Sequence, residues 1–176
     1  MSILSVFHAS SPAQPNKMLT HHDDITATLA EQGVRFTHQP LELRVRPGLS
    51  REEALEACRA PLDQCMTAHG CTAFELLNCD GQVPELAELR NEHVYDTDEV
   101  FAVISGRGQM SVRLGDYVYA VLCEKGDVLH VPAGTRRWVD LGDQPFCVAL
   151  RLLRNEGIPE FTGDPCASAF LGMGEF

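Results

Sequence analysis

The chain has 176 residues, of which 44% are hydrophobic, and acidic residues outnumber basic ones by 25 to 14. A chain of this length and composition can bury one sizeable core, so we predict a single domain over residues 1–176. The formal net charge of −11 repels phosphate backbones and anionic membrane surfaces. We therefore expect neither a nucleic-acid partner nor a membrane partner. Because residues 1–7 lack a basic region with a long apolar run and no eighteen consecutive residues are apolar, we expect a cytoplasmic protein.

The first half of the chain carries the pattern of helices. Residues 22–32 place apolar side chains on one side and are followed by Gly33, which predicts an amphipathic helix. Ser50, with Glu53 three residues later, forms a capping box that opens a second helix. Pro61 lacks a backbone N–H group and should kink or split this helix.

A short strand and a short helix complete this half. Residues 72–77 predict the strand, and the helix over residues 84–89 has proline in its first turn. We therefore expect residues 1–90 to form a helix-rich part that packs on a barrel.

From residue 99 onward, short β-rich runs alternate with turn residues at a spacing of roughly eight to twelve residues, which is typical of a sandwich or barrel. The predicted strands are 100–104, 109–114, 117–122, 128–131, 138–141 and 146–153. A mainly β fold, a double-sheet jelly roll with several α-helices in its N-terminal half, accounts for this order. Its core motifs lie in residues 91–155, and residues 156–176 form a tail.

Residues 93–106 resemble the first metal motif of cupins, H-x-H-x-x-x-E followed after six residues by glycine. His93 and Glu99 stand at the positions of the first histidine and the glutamate. Tyr95 stands where the second histidine belongs. This segment therefore keeps two ligand types and changes one.

Residues 126–137 resemble the second cupin motif, G-x5-P-x-G-x2-H. The glycines and the proline of that motif are in place. Arg137, however, stands where the last histidine belongs. The two motifs together predict a cupin double-stranded β-helix with a degenerate metal site.

The chain also resembles the acireductone dioxygenase family along most of its length. The similarity is carried by residues 33–36, 91–93, 117–125, 161–164 and 167–169. The resemblance implies a centre of three histidines and one glutamate that binds Fe(II) or Ni(II), at which dioxygen adds to a metal-bound acireductone. It also implies a basic residue two positions after the glutamate, where this chain has Phe101.

The substituted residues are poor metal ligands. Tyrosine must lose a proton with a pKa of about 10 before it ligates well. Arginine stays protonated and offers no lone pair, so Arg137 opposes any divalent cation. We expect no metal cofactor; if Fe or Ni were retained, His93 and Glu99 would hold it, with Tyr95 as a further candidate.

We hypothesise that the guanidinium of Arg137 replaces the metal and pairs with Glu99. Catalytic candidates are then His93, Tyr95, Glu99 and Arg137, in a pocket for an anionic or enolic small metabolite. Candidate substrate contacts are Phe101, Trp138 beside the arginine, and His130. In an alternative hypothesis, His130 faces the interior and completes a two-histidine, one-carboxylate centre with His93 and Glu99. The face of the strand on which His130 lies decides between the two hypotheses.

Three classes of function remain open. One is an enzyme repurposed for redox-neutral acid/base chemistry, such as isomerisation, cyclisation or lysis, in specialised biosynthesis. A second is a noncatalytic cupin that binds a metabolite, favoured if the pair of Arg137 and Glu99 fills the pocket. The third is a metal-dependent dioxygenase with unusual ligation. An ordinary acireductone dioxygenase is the function that the substitutions argue against most strongly.

Each site residue also has a simpler explanation. His93 and Glu99 are compatible with a hydrogen-bonded structural pair, and Tyr95 with core filling. The substrate and the oligomeric state do not follow from the sequence.

Overall fold

The computed structural model describes residues 1–155, 157–170 and 172–173. The strands in this part are β1 (Ile3–His8), β2 (Lys17–Leu19), β3 (Arg35–His38), β4 (Ala73–Asp80), β5 (His93–Val94), β6 (Glu99–Leu114), β7 (Tyr117–Glu124), β8 (Asp127–Val131), β9 (Arg136–Asp140), β10 (Phe146–Leu153) and β11 (Glu160–Phe161). The helices are α1 (His22–Ala30), α2 (Arg51–His69) and α3 (Pro84–Ala87), with 3₁₀ turns at Glu88–Arg90 and Pro165–Ala169. None of the helices described is long and apolar enough to cross a bilayer.

Two sheets that share β6 enclose the core. The first sheet has the order β11-β5-β9-β6-β7-β1-β2. The second runs β3-β8-β6-β10-β4, and every pair in it is antiparallel. Side chains from the facing surfaces of both sheets fill one buried cluster, which includes Leu4, Val121 and Met110 from the first sheet and Phe101, Leu129 and Ala149 from the second. The predicted jelly roll is therefore confirmed.

The long strand β6 passes from one sheet to the other. Its residues before Gly106 pair with β8 and β10, whereas those after it pair with β7 and β9. Gly106 adopts a φ of +74°, and the register with β10 shifts between Val148 and Ala149. The prediction of two separate strands with a turn at residues 105–108 was wrong, because the extra residue Ile104 opposite β10 and the positive φ of Gly106 bend a continuous strand instead of ending it.

The predicted capping box of α2 is present, since the Ser50 hydroxyl accepts a hydrogen bond of 3.2 Å from the Glu53 backbone N–H. The helix is nevertheless one continuous element of 19 residues that contains Pro61. Of the two predicted effects of Pro61, the split was therefore wrong, and the kink stays a prediction. Pro61 is buried on the face that packs against the outer surface of the second sheet, and this packing offsets the lost backbone hydrogen bond.

The part predicted as helix-rich also contributes strands. β1 pairs with β7 over six residue pairs, and β3 pairs with β8. Helix α1 packs Ile25 and Leu29 into the same interior cluster as the barrel strands. Residues 1–90 thus extend both sheets and also carry helices that cover them.

Gly106 tests the importance of the bend in β6. A Cβ atom there would lie 2.1 Å from the carbonyl oxygen of Phe146, whereas one at Gly115, with φ of +62°, would meet nothing within 4 Å. Gly115→Ala should lose about 1–2 kcal/mol of unfolding free energy through backbone strain alone. Gly106→Ala should lose about 1–3 kcal/mol more through the clash. Urea denaturation measures both variants, and equal losses would contradict a close strand crossing at Gly106.

Candidate functional site

The cupin motif residues meet at one end of the barrel, where three strands approach one another. His93 in β5 lies directly opposite Arg137 in β9. Glu99 is the first residue of β6, and Tyr95 lies in the loop before it. His93, Glu99 and Arg137 are each 0% exposed, and Tyr95 is 3% exposed. The fold therefore brings together the four residues that were predicted as catalytic candidates.

Arg137 occupies the centre of this cluster with all of its nitrogen groups bonded. Its Nη1 donates to Oε1 of Glu99 at 3.0 Å. Its Nε donates to the Thr135 carbonyl and its Nη2 to the Pro132 carbonyl, both at 3.0 Å. The expected ion pair with Glu99 is present, and two backbone carbonyls fix the guanidinium plane.

A second arginine, Arg151 in β10, was missed by the sequence analysis. Its Nε and Nη2 donate to Oε2 of Glu99 at 2.9 and 2.6 Å. Its Nη2 also donates to the hydroxyl of Tyr95, and its Nη1 donates to Glu75 at 3.3 Å. Arg151 lies on the same inward face of β10 as the buried Cys147 and Ala149, in a strand that is otherwise apolar. That position of a charged residue was the signal for a buried ion pair.

The two guanidiniums control the charge state of Glu99. Burial would raise the pKa of the carboxyl, but Arg151 and Arg137 outweigh burial and hold the pKa below its usual range. Burial likewise disfavours the charged form of Arg151, while Glu99 and Tyr95 raise the pKa of the guanidinium. The centre therefore contains one carboxylate shared between two permanent cations.

His93 and Tyr95 are neutral at pH 7. Burial is the main cause that lowers the pKa of His93, and it also raises the pKa of the Tyr95 phenol. Nδ1 of His93 lies 2.8 Å from the Asn91 carbonyl oxygen, so this nitrogen carries the proton. Nε2 then has a free lone pair, and it is buried without a hydrogen-bond partner among the residues described. The site thus pairs a proton acceptor with a proton donor.

The candidate substrate contacts Phe101 and Trp138 differ in position. Phe101 is fully buried in the barrel interior and lies opposite Arg151 across β6 and β10. Trp138 packs instead with Phe7 and Phe170 on the other face of the first sheet. Successive residues of a strand point to opposite faces, so the expected placement of Trp138 beside Arg137 in the pocket does not hold.

His130 also faces away from the centre. It lies opposite Val100, and both residues point toward the outer surface of the second sheet, whereas Glu99 lies opposite Val131 of the interior. The His130 ring stacks on His69 with the centroids 5.5 Å apart. Strand alternation therefore removes His130 from the candidate metal ligands and from the candidate substrate contacts at this centre.

The donors that remain do not match a three-histidine, one-glutamate centre. His93 offers one nitrogen, but both oxygens of Glu99 accept hydrogen bonds from guanidiniums. Arg137 has no lone pair to replace the missing histidine, and the Tyr95 phenol keeps its proton. A divalent cation here would have to displace a buried arginine from a buried carboxylate.

A cleft borders the centre at Arg151. Its volume is about 150 Å³, and it is lined by Arg151, Phe74, Glu75 and Gly157, among others. Glu75 is 53% exposed at the cleft and holds Nη1 of Arg151. Phe161 lies over His93 on the neighbouring side, with the ring centroids 5.7 Å apart.

Comparison with known proteins identifies the family. The sequence model of the ARD/ARD' family matches residues 10–158. Acireductone dioxygenases from Pseudomonas fluorescens and Pseudomonas aeruginosa are 47% and 41% identical to this chain, over 97% of each chain. The structure of acireductone dioxygenase from Bacillus anthracis with cadmium ion in its active centre has a TM-score of 0.74 and 23% identity, and the match covers 92% of this chain and 98% of that one. It supports the same fold, and the sequence matches show that the chain belongs to the acireductone dioxygenase family of cupins.

Proposed function

We propose that this family member binds an anionic or enolic small metabolite without a metal and acts on it by redox-neutral acid/base chemistry in specialised cytoplasmic metabolism. The observation that carries this proposal is the double arginine bond to Glu99. Both carboxylate oxygens face guanidiniums, at 3.0 Å from Arg137 and at 2.6 Å from Arg151. The lone pairs that would bind Fe or Ni are engaged by cations that belong to the chain itself.

The charge of the centre favours an anion. Two guanidiniums face one buried carboxylate, so one positive charge is left over inside the barrel. The partly exposed Glu75 carboxylate offsets it at Nη1 of Arg151. A substrate carboxylate or enolate that enters through the cleft can take the place of Glu75, because the Glu75 carboxylate is 53% exposed and holds Arg151 through one hydrogen bond of 3.3 Å. Arg151 is therefore the proposed anchor of the ligand.

His93 and Tyr95 supply the proposed proton transfers. The free Nε2 of His93 is the base that removes a proton from carbon or oxygen of the bound metabolite. The Tyr95 hydroxyl, which keeps its proton, is the acid that returns one. Arg137 and Arg151 stabilise the negative charge that develops between the two steps. Isomerisation, cyclisation and lysis all use this pattern.

A noncatalytic, metabolite-binding cupin is the second candidate. The observation that favours it is the filling of the centre, since Glu99 and Arg137 are both fully buried and bonded to each other. A ligand that binds only at the cleft would engage Arg151 and Glu75 without reaching His93. A dioxygenase with unusual ligation is the third candidate, and the donor set described above gives it the least support.

Metal content tests the proposal. Untagged protein expressed in medium with added Fe and Ni is compared with a His93→Gln variant by elemental analysis. We expect the Fe and Ni content of the two proteins to be equal and far below one equivalent at this centre, because the Glu99 oxygens are engaged. Near-stoichiometric Fe or Ni that is lost in His93→Gln would overturn the metal-independent mechanism.

Restoring the family residues should restore metal binding. In a Tyr95→His/Arg137→His variant, Oε1 of Glu99 becomes free while Oε2 stays bonded to Arg151. We expect this variant to gain about one equivalent of Fe or Ni, because three imidazole nitrogens and one carboxylate oxygen then converge. Arg136→His, whose side chain is half exposed, is the control and should gain none. Failure of the double variant to gain metal would show that Arg137 alone does not block the centre.

Proton exchange separates catalysis from binding. Pyruvate, oxaloacetate and dihydroxyacetone in D₂O serve as probes with exchangeable hydrogens next to a carbonyl group. We expect deuterium uptake into at least one probe in the presence of the protein, with the rate reduced about 100-fold or more in His93→Gln. A ligand-induced rise in melting temperature that needs Arg151, with no exchange above the buffer rate, would favour the noncatalytic function.

Unfolding stability reports on the charge balance. Glu99→Gln leaves the buried guanidinium of Arg137 without a carboxylate partner and Arg151 with only the half-exposed Glu75, so it should lose about 3–5 kcal/mol. Arg137→Met leaves the carboxylate paired with Arg151 and should lose less, about 1–3 kcal/mol. The half-exposed neighbour gives a control, Arg136→Met, which should change stability by about 0.5 kcal/mol or less. An Arg137→Met loss that equals or exceeds that of Glu99→Gln would contradict the shared-carboxylate arrangement.

The same ion pairs set a pH dependence. The folded pKa of Glu99 is lowered, so its ion pairs stabilise the fold above the unfolded value of about 4.3 and lose this effect as the pH falls through the folded pKa. Urea midpoints measured between neutral and acidic pH should therefore fall more steeply in the wild-type protein than in Glu99→Gln. Parallel curves would assign the acid sensitivity to other carboxylates.

A further inference from the structure

A second cluster of metal-ligand side chains lies outside the cupin centre. It consists of His22 at the start of α1, His38 at the end of β3 and Asp127 at the start of β8. One potential ligand atom from each residue lies within 4.8 Å of the other two. The three residues come from distant parts of the chain, and neither cupin motif nor the proposed chemistry uses the two histidines.

The two imidazoles converge on one carboxylate. Nδ1 of His38 lies 2.7 Å from Oδ1 of Asp127. The rings of His22 and His38 stack with centroids 4.2 Å apart and an interplanar angle of 21°. Both histidines are partly exposed, whereas Asp127 is fully buried. An ion can thus reach the imidazoles from solvent while the carboxylate lies beneath them.

The other oxygen of Asp127 is held in place by the surrounding chain. Oδ2 accepts hydrogen bonds from the Ser2 hydroxyl and from the Glu124 backbone N–H, the latter at 2.8 Å. This leaves Oδ1 as the oxygen that faces the histidines. Carboxylates that bind metals in proteins are likewise held by hydrogen bonds to one oxygen, which orient the other oxygen toward the ion.

We propose that His22, His38 and Asp127 form a binding site for a divalent transition metal of the zinc type. Two neutral imidazole nitrogens and one carboxylate oxygen suit Zn²⁺ or Co²⁺, with water as the fourth ligand. With metal–ligand bonds of about 2.0–2.2 Å, tetrahedral ligand atoms lie roughly 3.3–3.6 Å apart. The spacing of 2.7 Å between His38 and Asp127 is shorter than this, and no ligand atom of the cluster lies more than 4.8 Å from another, so side-chain rotation brings the three atoms to the required distances. The metal takes the place of the proton between His38 and Asp127.

The site is separate from the cupin centre. Asp127 begins β8, and Val131 at the other end of that strand lies opposite Glu99. Four residues of extended chain span roughly 13 Å. A metal at the second site therefore does not compete for Glu99 or His93. Its role is to join the start of α1 to β3 and β8, because an ion that binds only the folded chain stabilises the fold.

Cobalt and zinc binding to the untagged, chelator-treated protein test this proposal. We expect one equivalent of Co²⁺ to give the d–d absorption of a tetrahedral nitrogen and oxygen site and to be displaced by Zn²⁺. Zinc should also raise the melting temperature. His22→Ala and Asp127→Asn should each weaken Zn²⁺ binding at least about 100-fold, since loss of a direct ligand should cost no less than loss of a supporting contact.

Two matched controls decide the location of the ion. His21→Ala removes an exposed neighbouring histidine outside the cluster, and His93→Gln removes the cupin-centre imidazole. Both should bind Co²⁺ as tightly as the wild-type protein. Retention of full affinity in a folded His22→Ala variant, or loss of binding in His93→Gln, would overturn the proposed site. Wild-type protein that binds neither Co²⁺ nor Zn²⁺ at micromolar concentration would overturn it as well.

Discussion

The carboxylate of Glu99 is the group on which the arrangement of this cupin centre depends. It is fully buried, and it accepts hydrogen bonds from Arg137 on one oxygen and from Arg151 on the other. A buried carboxylate needs a counterion, and two arginines supply it here. The same bonds keep Glu99 ionised and hold the Tyr95 hydroxyl through Arg151, while burial lowers the pKa of His93.

Strand pairing in the barrel brings the members of this centre together. β5 and β9 set His93 opposite Arg137, and β6 delivers Glu99 between them. In the middle of the cluster, Nε and Nη2 of Arg137 donate to the carbonyls of Thr135 and Pro132. The centre therefore carries its positive charge on the side chains of Arg137 and Arg151. In the proposed function, that charge binds an anionic metabolite through Arg151.

Much of the fold and part of the site followed from the sequence. Motif spacing placed His93, Tyr95, Glu99 and Arg137 together, and turn residues marked most barrel strands.

Prediction from local sequence failed where pairing between distant strands decides the structure. The glycines at 106 and 108 predicted a turn. The strand continues through them because it pairs with β10, a part of the chain about forty residues later. Arg151 was overlooked because its partners, Glu99 and Tyr95, lie more than fifty positions away, although its place in an apolar strand marked it as a buried charge. Trp138 was predicted in the pocket because it follows Arg137 in the sequence. Neighbouring residues of a strand point to opposite faces, so Trp138 lies outside the pocket.

The most direct test of the central claim is anomalous X-ray diffraction at the nickel and iron edges, on crystals of untagged protein grown with each metal. The account predicts no anomalous peak within bonding distance of His93 Nε2 and Glu99, with the guanidiniums of Arg137 and Arg151 resolved on the two carboxylate oxygens. A peak coordinated by His93 and Glu99, with Arg137 turned away, would contradict it and would return the protein to metal-dependent chemistry.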